Sequence, residues 1–259
     1  MNYRNLILTK EDGIGIVTIK PHKSVNLLNI DVFIELDDMF RGIEEDPGIR
    51  VVILTGTGKA FAAGVDITEM KSNDPVSIER FIKIARKAGD GIYHLNKPVI
   101  AAVNGYAFGG GNELALACDL RIASENARFG QQEINFGIIP GGGAIQRLSR
   151  MVGMTRAKEI VYTGDVIDSK TALVIGLINR VVPPEKLMDE AKAMAQKLLS
   201  KSSIALAYAK KAFNAGADMS LSAAMDLDEC YFARCFSSED QKEGMQAFIE
   251  HRKAQFKNR

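Results

Sequence analysis

Two short runs, RVVILTG at 50–56 and VIAAV at 99–103, are apolar almost without interruption. A run of that length with no polar alternation is of the buried-strand type, covered on both faces rather than half-exposed to water. Around these runs the apolar period changes. From Asn29 to Glu45, Val32, Phe33, Leu36, Met39, Phe40 and Ile43 recur at helical spacing and stop before Asp46-Pro47-Gly48. A polar amphipathic helix over 77–95, closed by Lys97-Pro98, separates the two runs. Buried strands alternating with helices of this kind call for α/β layers.

Upstream, NLILT and GIGIVTIK read as strands, the second with Ile14, Ile16 and Thr18 alternating before Lys20-Pro21. From about residue 140 the pattern becomes helix after helix, over 184–199, 202–215, 221–236 and 239–256. No low-complexity linker and no clear internal repeat separates the halves. The expected organisation is an α/β core over 1–198 and a helical region over 199–259 whose apolar faces call for a neighbouring subunit.

Charge narrows the partners. Lysine plus arginine number 33 against 32 acidic residues, a formal charge of +1, and no block of like charge stands out. Neither nucleic acid nor an anionic membrane is expected as a partner on that balance. Cys118, Cys230 and Cys235 are odd in number, lack metal-ligand spacing and lie in helical apolar segments, so buried reduced thiols are expected. The start of the chain has no long apolar segment of signal-peptide type, and no apolar run is long enough to span a bilayer. A cytoplasmic protein with a small-molecule partner is the expectation.

The stretch FGGGNELALACDL at 108–120 follows VIAAV and the turn-forming Asn104-Gly105. Glycines let a ligand approach the main chain, and the first N–H groups of a helix lack internal acceptors. Together they can form an anion or oxyanion site. Equally, three glycines can mean a helix packed tightly against a strand. Glu113 stands three residues after Gly110, in the first helical turn where a carboxylate is favoured. A second acid, Glu133, lies in RFGQQEINFGIIPGGG, a glycine- and proline-rich segment expected to be an ordered loop. Two carboxylates beside an oxyanion site can divide the work of activating water and moving a proton at carbon. A second backbone donor would come from TGTGKAFAAGVDITEM. Its Gly56-Thr57-Gly58-Lys59 lacks the glycine spacing and the Ser/Thr after lysine of a phosphate-binding loop, so a nucleotide site is rejected.

The segments AFAAGVDITEM, KPVIAAVNGYAFGGGNELALACDLRIAS, ARFGQQEINFGIIPGGG and EGMQAFIEHRKAQF, in this order, resemble the crotonase (enoyl-CoA hydratase) superfamily along essentially the whole chain. The resemblance implies a crotonase spiral of β-β-α units with a helical C-terminal trimerisation region, assembled as a homo-hexamer made of two trimers. It places the oxyanion-hole amides on Val65 and Gly110 and the catalytic pair on Glu113 and Glu133. It further implies that Ala62, Ala63, Gly64, Asp66 and Ile67, with His22, Leu27 and Gly109, bind the acyl-CoA. Coenzyme A is then part of the substrate thioester, and no metal or other cofactor is required. Retention of both glutamates argues for hydration of a 2-enoyl-CoA, short-chain first, with a cyclic or dienoyl-CoA or double-bond isomerisation as alternatives. An RNA-binding homologue on the same scaffold is disfavoured by the near-neutral charge. Two departures bear on pocket shape: Asn26-Leu27-Leu28-Asn29 where relatives commonly have Asn-Ala-Leu-Asn, and PGGGAI at 140–145. The cluster His251-Arg252-Lys253 holds histidine where relatives often have lysine, and reads otherwise as a solvated helix face. His22 and His94 have no metal-ligand companions and are expected to be structural or surface residues.

Overall fold

A computed structural model of the chain describes residues 3–20 and 25–259. His22 lies outside the described residues. Strands β1 (Leu6–Glu11) and β2 (Ile14–Ile19) form an antiparallel hairpin with Leu6 opposite Ile19 and Glu11 opposite Ile14. Its two-residue turn takes positive φ at Asp12 (46°) and Gly13 (84°), the handedness that matches the twist of the flanking strands. Helix α1 (Ile30–Glu45) follows, with Asn29 Oδ1 accepting from Val32 N at 2.9 Å as its cap. All six of its periodic apolar residues are buried.

The chain then repeats one unit: a long strand, a sharp turn, a short strand and a helical segment. In the first, β3 (Val51–Gly56) and β4 (Ala60–Ala62) lead to α2 (Ile67–Met70) and α3 (Pro75–His94). In the second, β5 (Val99–Val103) and β6 (Tyr106–Phe108) lead to α4 (Gly110–Ala117). In the third, β7 (Leu120–Ser124) and β8 (Arg128–Gly130) lead to a 3-10 turn at Glu133–Phe136, then α5 (Ala144–Val152) and α6 (Met154–Thr163). The long strands join a six-stranded sheet in the order β1-β2-β3-β5-β7-β10, parallel beyond the hairpin, where β10 is Arg180–Val182. The short strands build a second sheet, β4-β6-β8-β9, where β9 is Ile167–Asp168. Each unit thus advances one place in both sheets, which makes the path a spiral. Its repeat is one of shape rather than of residues, which is why the sequence displays none.

Residues alternate faces along the six-stranded sheet. Val52, Leu54, Val99 and Ala101 face the larger core under α1, α3 and α4, while Val51, Ile53, Ile100 and Ile122 pack against α8 (Leu187–Leu199). Both faces are covered, as the unbroken apolar runs require.

Beyond residue 140 the expectation of helices alone is corrected: β9 and β10 lie there, either side of α7 (Ser169–Val174). Two- and three-residue strands show no period of their own and form because a sheet edge is available. Helices α9 (Ser203–Gly216), α10 (Leu221–Cys235) and α11 (Glu239–Ile249) close the chain. The last stops well short of residue 256. His251 turns back at φ 53°, and Asp240 Oδ1 accepts from Lys257 N (2.7 Å) and Asn258 N (2.9 Å), folding the tail onto the helix start. Lys210 of α9 is buried and donates to Asp119 Oδ2 (2.8 Å) and to the carbonyls of Ile92 and Lys97, fastening the C-terminal region to its own core. Phe213, Leu221, Phe232 and Phe248 are exposed in the single chain. The cysteine expectation holds only for Cys118. Cys230 is exposed and Cys235 half-exposed, because α10 buries none of its residues within the chain.

Candidate active site

The glycine triplet is explained residue by residue. Gly109 takes φ 48°, ψ −122°, which turns the chain from β6 into α4, and an added Cβ there would meet Glu133 Oε1 at 3.0 Å. At Gly110 a Cβ would meet the Val65 side chain at 3.0 Å, and at Gly111 it would sit 2.7 Å from the Ala62 carbonyl carbon. Both readings of the sequence are therefore present: tight helix-on-strand packing at Gly111, and an open approach to the main chain at Gly109-Gly110.

Opposite Gly110 runs the segment that was expected to supply the second donor. Leu28 N donates to Gly64 O (2.9 Å) and Asp66 N to Leu28 O (3.0 Å), while Ala63 N donates to Asn26 O (2.9 Å). In this short parallel bridge Val65 faces Leu28, and the bonds on either side are made by Gly64 and Asp66. The Val65 N–H is left outside that pairing, and Gly110 opens α4, where an N–H has no intrahelical acceptor. Asn26 sets the height of the segment: its buried Nδ2 donates to Ala60 O (2.7 Å) and Phe61 O (3.2 Å). Leu27 is half-buried beside it, Asp66 caps α2 by accepting from Thr68 N at 2.9 Å, and Ile67 is exposed. Gly56-Thr57-Gly58-Lys59 forms the turn from β3 into β4, with no helix start of the kind a phosphate-binding loop needs.

Glu113 lies in the first turn of α4, where its N donates to Gly109 O at 3.0 Å. Its Oε1 accepts from Gly142 N (2.7 Å) and Ala144 N (3.1 Å), at the start of α5. An added Cβ on Gly142 would lie 2.9 Å from the Glu113 carboxyl carbon, so only glycine admits the carboxylate this close. Burial pushes the Glu113 carboxyl up from its ordinary value, against the pull of the two amides and of the Arg147 charge. Glu133 opens the 3-10 turn beside Gly109. Burial, reinforced by the Glu113 charge, pushes it up to about 7, while its own backbone N–H opposes the rise. Gln131 is fully buried, and with its amide nitrogen turned to Glu133, as its surroundings demand, it donates to Oε2 at 3.1 Å and Oε1 at 3.2 Å.

Two contributors, Gln131 and Arg147, escaped sequence reading, while Asn26, Gly142 and Ala144 stood there only in segments with a bearing on pocket shape. The one available signal was polar residues inside glycine-rich segments, which does not separate a buried amide from a solvated one. His94 ends α3 against the Tyr93 ring, centroids 5.0 Å apart. No group of metal-ligating side chains and no helix long and apolar enough to cross a membrane occurs among the described residues.

Two sheets threaded by β-β-α turns, with carboxylates brought to the glycine-opened helix start, define a crotonase-fold protein. A crystal structure of enoyl-CoA hydratase from Bacillus anthracis superposes with a TM-score of 0.95 at 36% identity, over 99% of this chain and 100% of that one. Residues 9–259 match the family described as Enoyl-CoA hydratase/isomerase, and the chain belongs to it. It is 47% identical to the short-chain-enoyl-CoA hydratase of Clostridium acetobutylicum over the whole of both chains. It is 45% identical to the crotonyl-CoA hydratase of Syntrophomonas wolfei over 99% of each.

Proposed function

We propose that the chain is an enoyl-CoA hydratase that adds water reversibly across the double bond of a short-chain 2-enoyl-CoA, with crotonyl-CoA as first substrate. The observation that carries this reading is the pair of half-buried carboxylates in unequal surroundings beside the Gly109-Gly110 turn. Two neighbouring buried acids do not ionise together readily, so the dyad works with one proton. We assign the charge to Glu113, which two amides hold near Arg147 although burial raises its carboxyl as well, and the proton to Glu133, raised to about 7.

In that state the thioester carbonyl accepts from the N–H groups of Val65 and Gly110, drawing electrons from the β-carbon. Glu113 takes a proton from water as its oxygen bonds to the β-carbon, and the C2–C3 π pair moves through an enolate to the α-carbon. Glu133 delivers its proton there, and the product is a 3-hydroxyacyl-CoA. Proton exchange between the carboxyls and water restores the starting dyad. Each oxyanion donor is worth about 2.7–4 kcal/mol in the transition state. No metal or redox group enters this sequence, and coenzyme A takes part only as the thioester's carrier.

The loop 62–67, with Leu27 and His22, is the proposed coenzyme A contact. The exposed apolar faces of α9–α11 fit a role of residues 199–259 in assembly, with a homo-hexamer as the proposed state. Its free cysteines suit a cytoplasmic, reducing setting. Loss of crotonyl-thioester absorbance, with a product heavier by one water, tests the reading. Glu113→Gln and Glu133→Gln should each lower kcat by about 10²–10⁴-fold with acyl-CoA binding retained. A wild-type protein that binds crotonyl-CoA without hydrating it would refute the activity.

A further inference from the structure

Arg147 stands one turn into α5, behind the loop that holds Glu113. Its guanidinium does three things at once. NH1 donates to Gly142 O at 3.1 Å, NH2 pairs with Asp90 Oδ1 at 3.2 Å, and the group lies 5.0 Å over the Tyr93 ring. Only 15% of the side chain is exposed. Gly142 therefore accepts from Arg147 through its carbonyl and donates to Glu113 through its N–H. Behind it opens a cavity of about 760 Å³ lined by Gly141, Gly142, Gly143, Asp90, Tyr93 and Arg147. Gly142, which lines that cavity and touches the Glu113 carboxylate, has no side chain of its own to stiffen the contact.

We propose that Arg147 is a positioning residue for Glu113: clamped by Asp90 and Tyr93 of α3, it holds the Gly142 peptide so that the amide cradle at the start of α5 keeps the carboxylate in place. The inference rests on the hydratase reading for its kinetic consequence, but not for the clamp itself. Among the described residues, the titratable or charged groups that face Glu113 are Glu133 and Arg147. Around Arg147 stand Asp90 on α3, itself paired with Arg86, and Arg150 of α5, paired with Asp218 beyond α9. Lys210 of α9 lines the same cavity but is committed to Asp119. Arg147 is thus the cation whose removal alters Glu113 directly.

The sign of the charge effect is fixed. Losing the positive charge disfavours the ionised carboxylate, so Glu113 titrates higher and the acid limb of kcat/KM moves to higher pH. Raising the pH recovers this part of the loss and leaves the part due to misplacement. The test is the pH profile of crotonyl-CoA hydration, together with infrared titration of the Glu113 carboxyl, assigned by difference against Glu113→Gln. Arg147→Met should lower kcat/KM by about 10²-fold with KM little changed. It should also raise the Glu113 midpoint by about one unit. Arg147→Lys should bring the midpoint back while leaving turnover roughly 10-fold low, because one ammonium cannot hold Gly142 and Asp90 together. Asp90→Asn keeps the arginine and should give a loss between the two, which covers the case of Arg147→Met failing to fold. Arg150→Met, at an exposed pair, is the control and should match wild type. A midpoint in Arg147→Met equal to wild type, or one in Arg147→Lys as high as in Arg147→Met, overturns the clamp. Wild-type protein that fails to hydrate refutes the proposed function instead, and the infrared midpoints still judge the clamp.

Discussion

Gly142→Ala probes the site with one methyl group. Its Cβ would lie 2.9 Å from the carboxyl carbon of Glu113, where two carbons rest at roughly 3.5–4.0 Å. Gly142 does not need a left-handed backbone, so the clash falls on the flexible carboxylate rather than on the fold. Relief therefore means moving the carboxylate by roughly 0.6–1.1 Å and loosening its bond to Gly142 N. A displacement of that size at a reacting group costs about 10²-fold in rate. Steady-state hydration of crotonyl-CoA should show kcat down by that factor and KM little changed, with thermal unfolding close to wild type. The control is Gly42→Ala on the exposed face of α1, where a Cβ meets nothing within 4 Å. It should leave turnover unchanged and stabilise by about 0.5–1 kcal/mol, the usual helix-interior gain. Wild-type kcat in Gly142→Ala would refute both the placement of Glu113 and its role as base.

Three further outcomes follow from the same geometry. Because the dyad must hold one proton, kcat/KM should fall as pH rises through about 7, where Glu133 loses its proton. Hydration and dehydration should share that limb, since each starts from a singly protonated pair, and it should vanish from the residual rate of Glu133→Gln. Gln131→Leu should remove the amide donated to the ionised form of Glu133, raise that limb's midpoint and lower turnover by roughly 10-fold. Lys210→Met should cost about 3 kcal/mol in denaturant unfolding, because it leaves the half-buried Asp119 without the ammonium it pairs with. The double variant Asp119→Asn/Lys210→Met should cost less than Lys210→Met alone.

What the sequence carried by itself is local or strongly patterned. The run at 51–54 is apolar throughout because β3 is covered on both faces, and α1 repeats its apolar residues because one stripe faces the core. The triplet at 109–111 announced a close approach to the main chain, and the motifs around it announced the family and, through it, the proposed pair Glu113 and Glu133. The bounds expected for α9 and α10 fall within a residue of the observed ones, and Ser202 and Ser220 cap their starts.

The rest needed the fold, because it depends on atoms far apart in the chain. Arg147 and Asp90 are 57 residues apart, and Gly142 and Glu113 are 29. No period or spacing links them. The tail folds back because Asp240 lies open to two amides 17 and 18 residues later, an event with no mark in an otherwise helical pattern. The spiral is hidden for a related reason: its units share strand order while their helices differ in length and composition. Most of all, the sequence supplied two glutamates of equal ordinary acidity. Burial raises both, while two backbone amides and one arginine at the start of α5 pull on Glu113, and those different surroundings are a property of the tertiary structure alone.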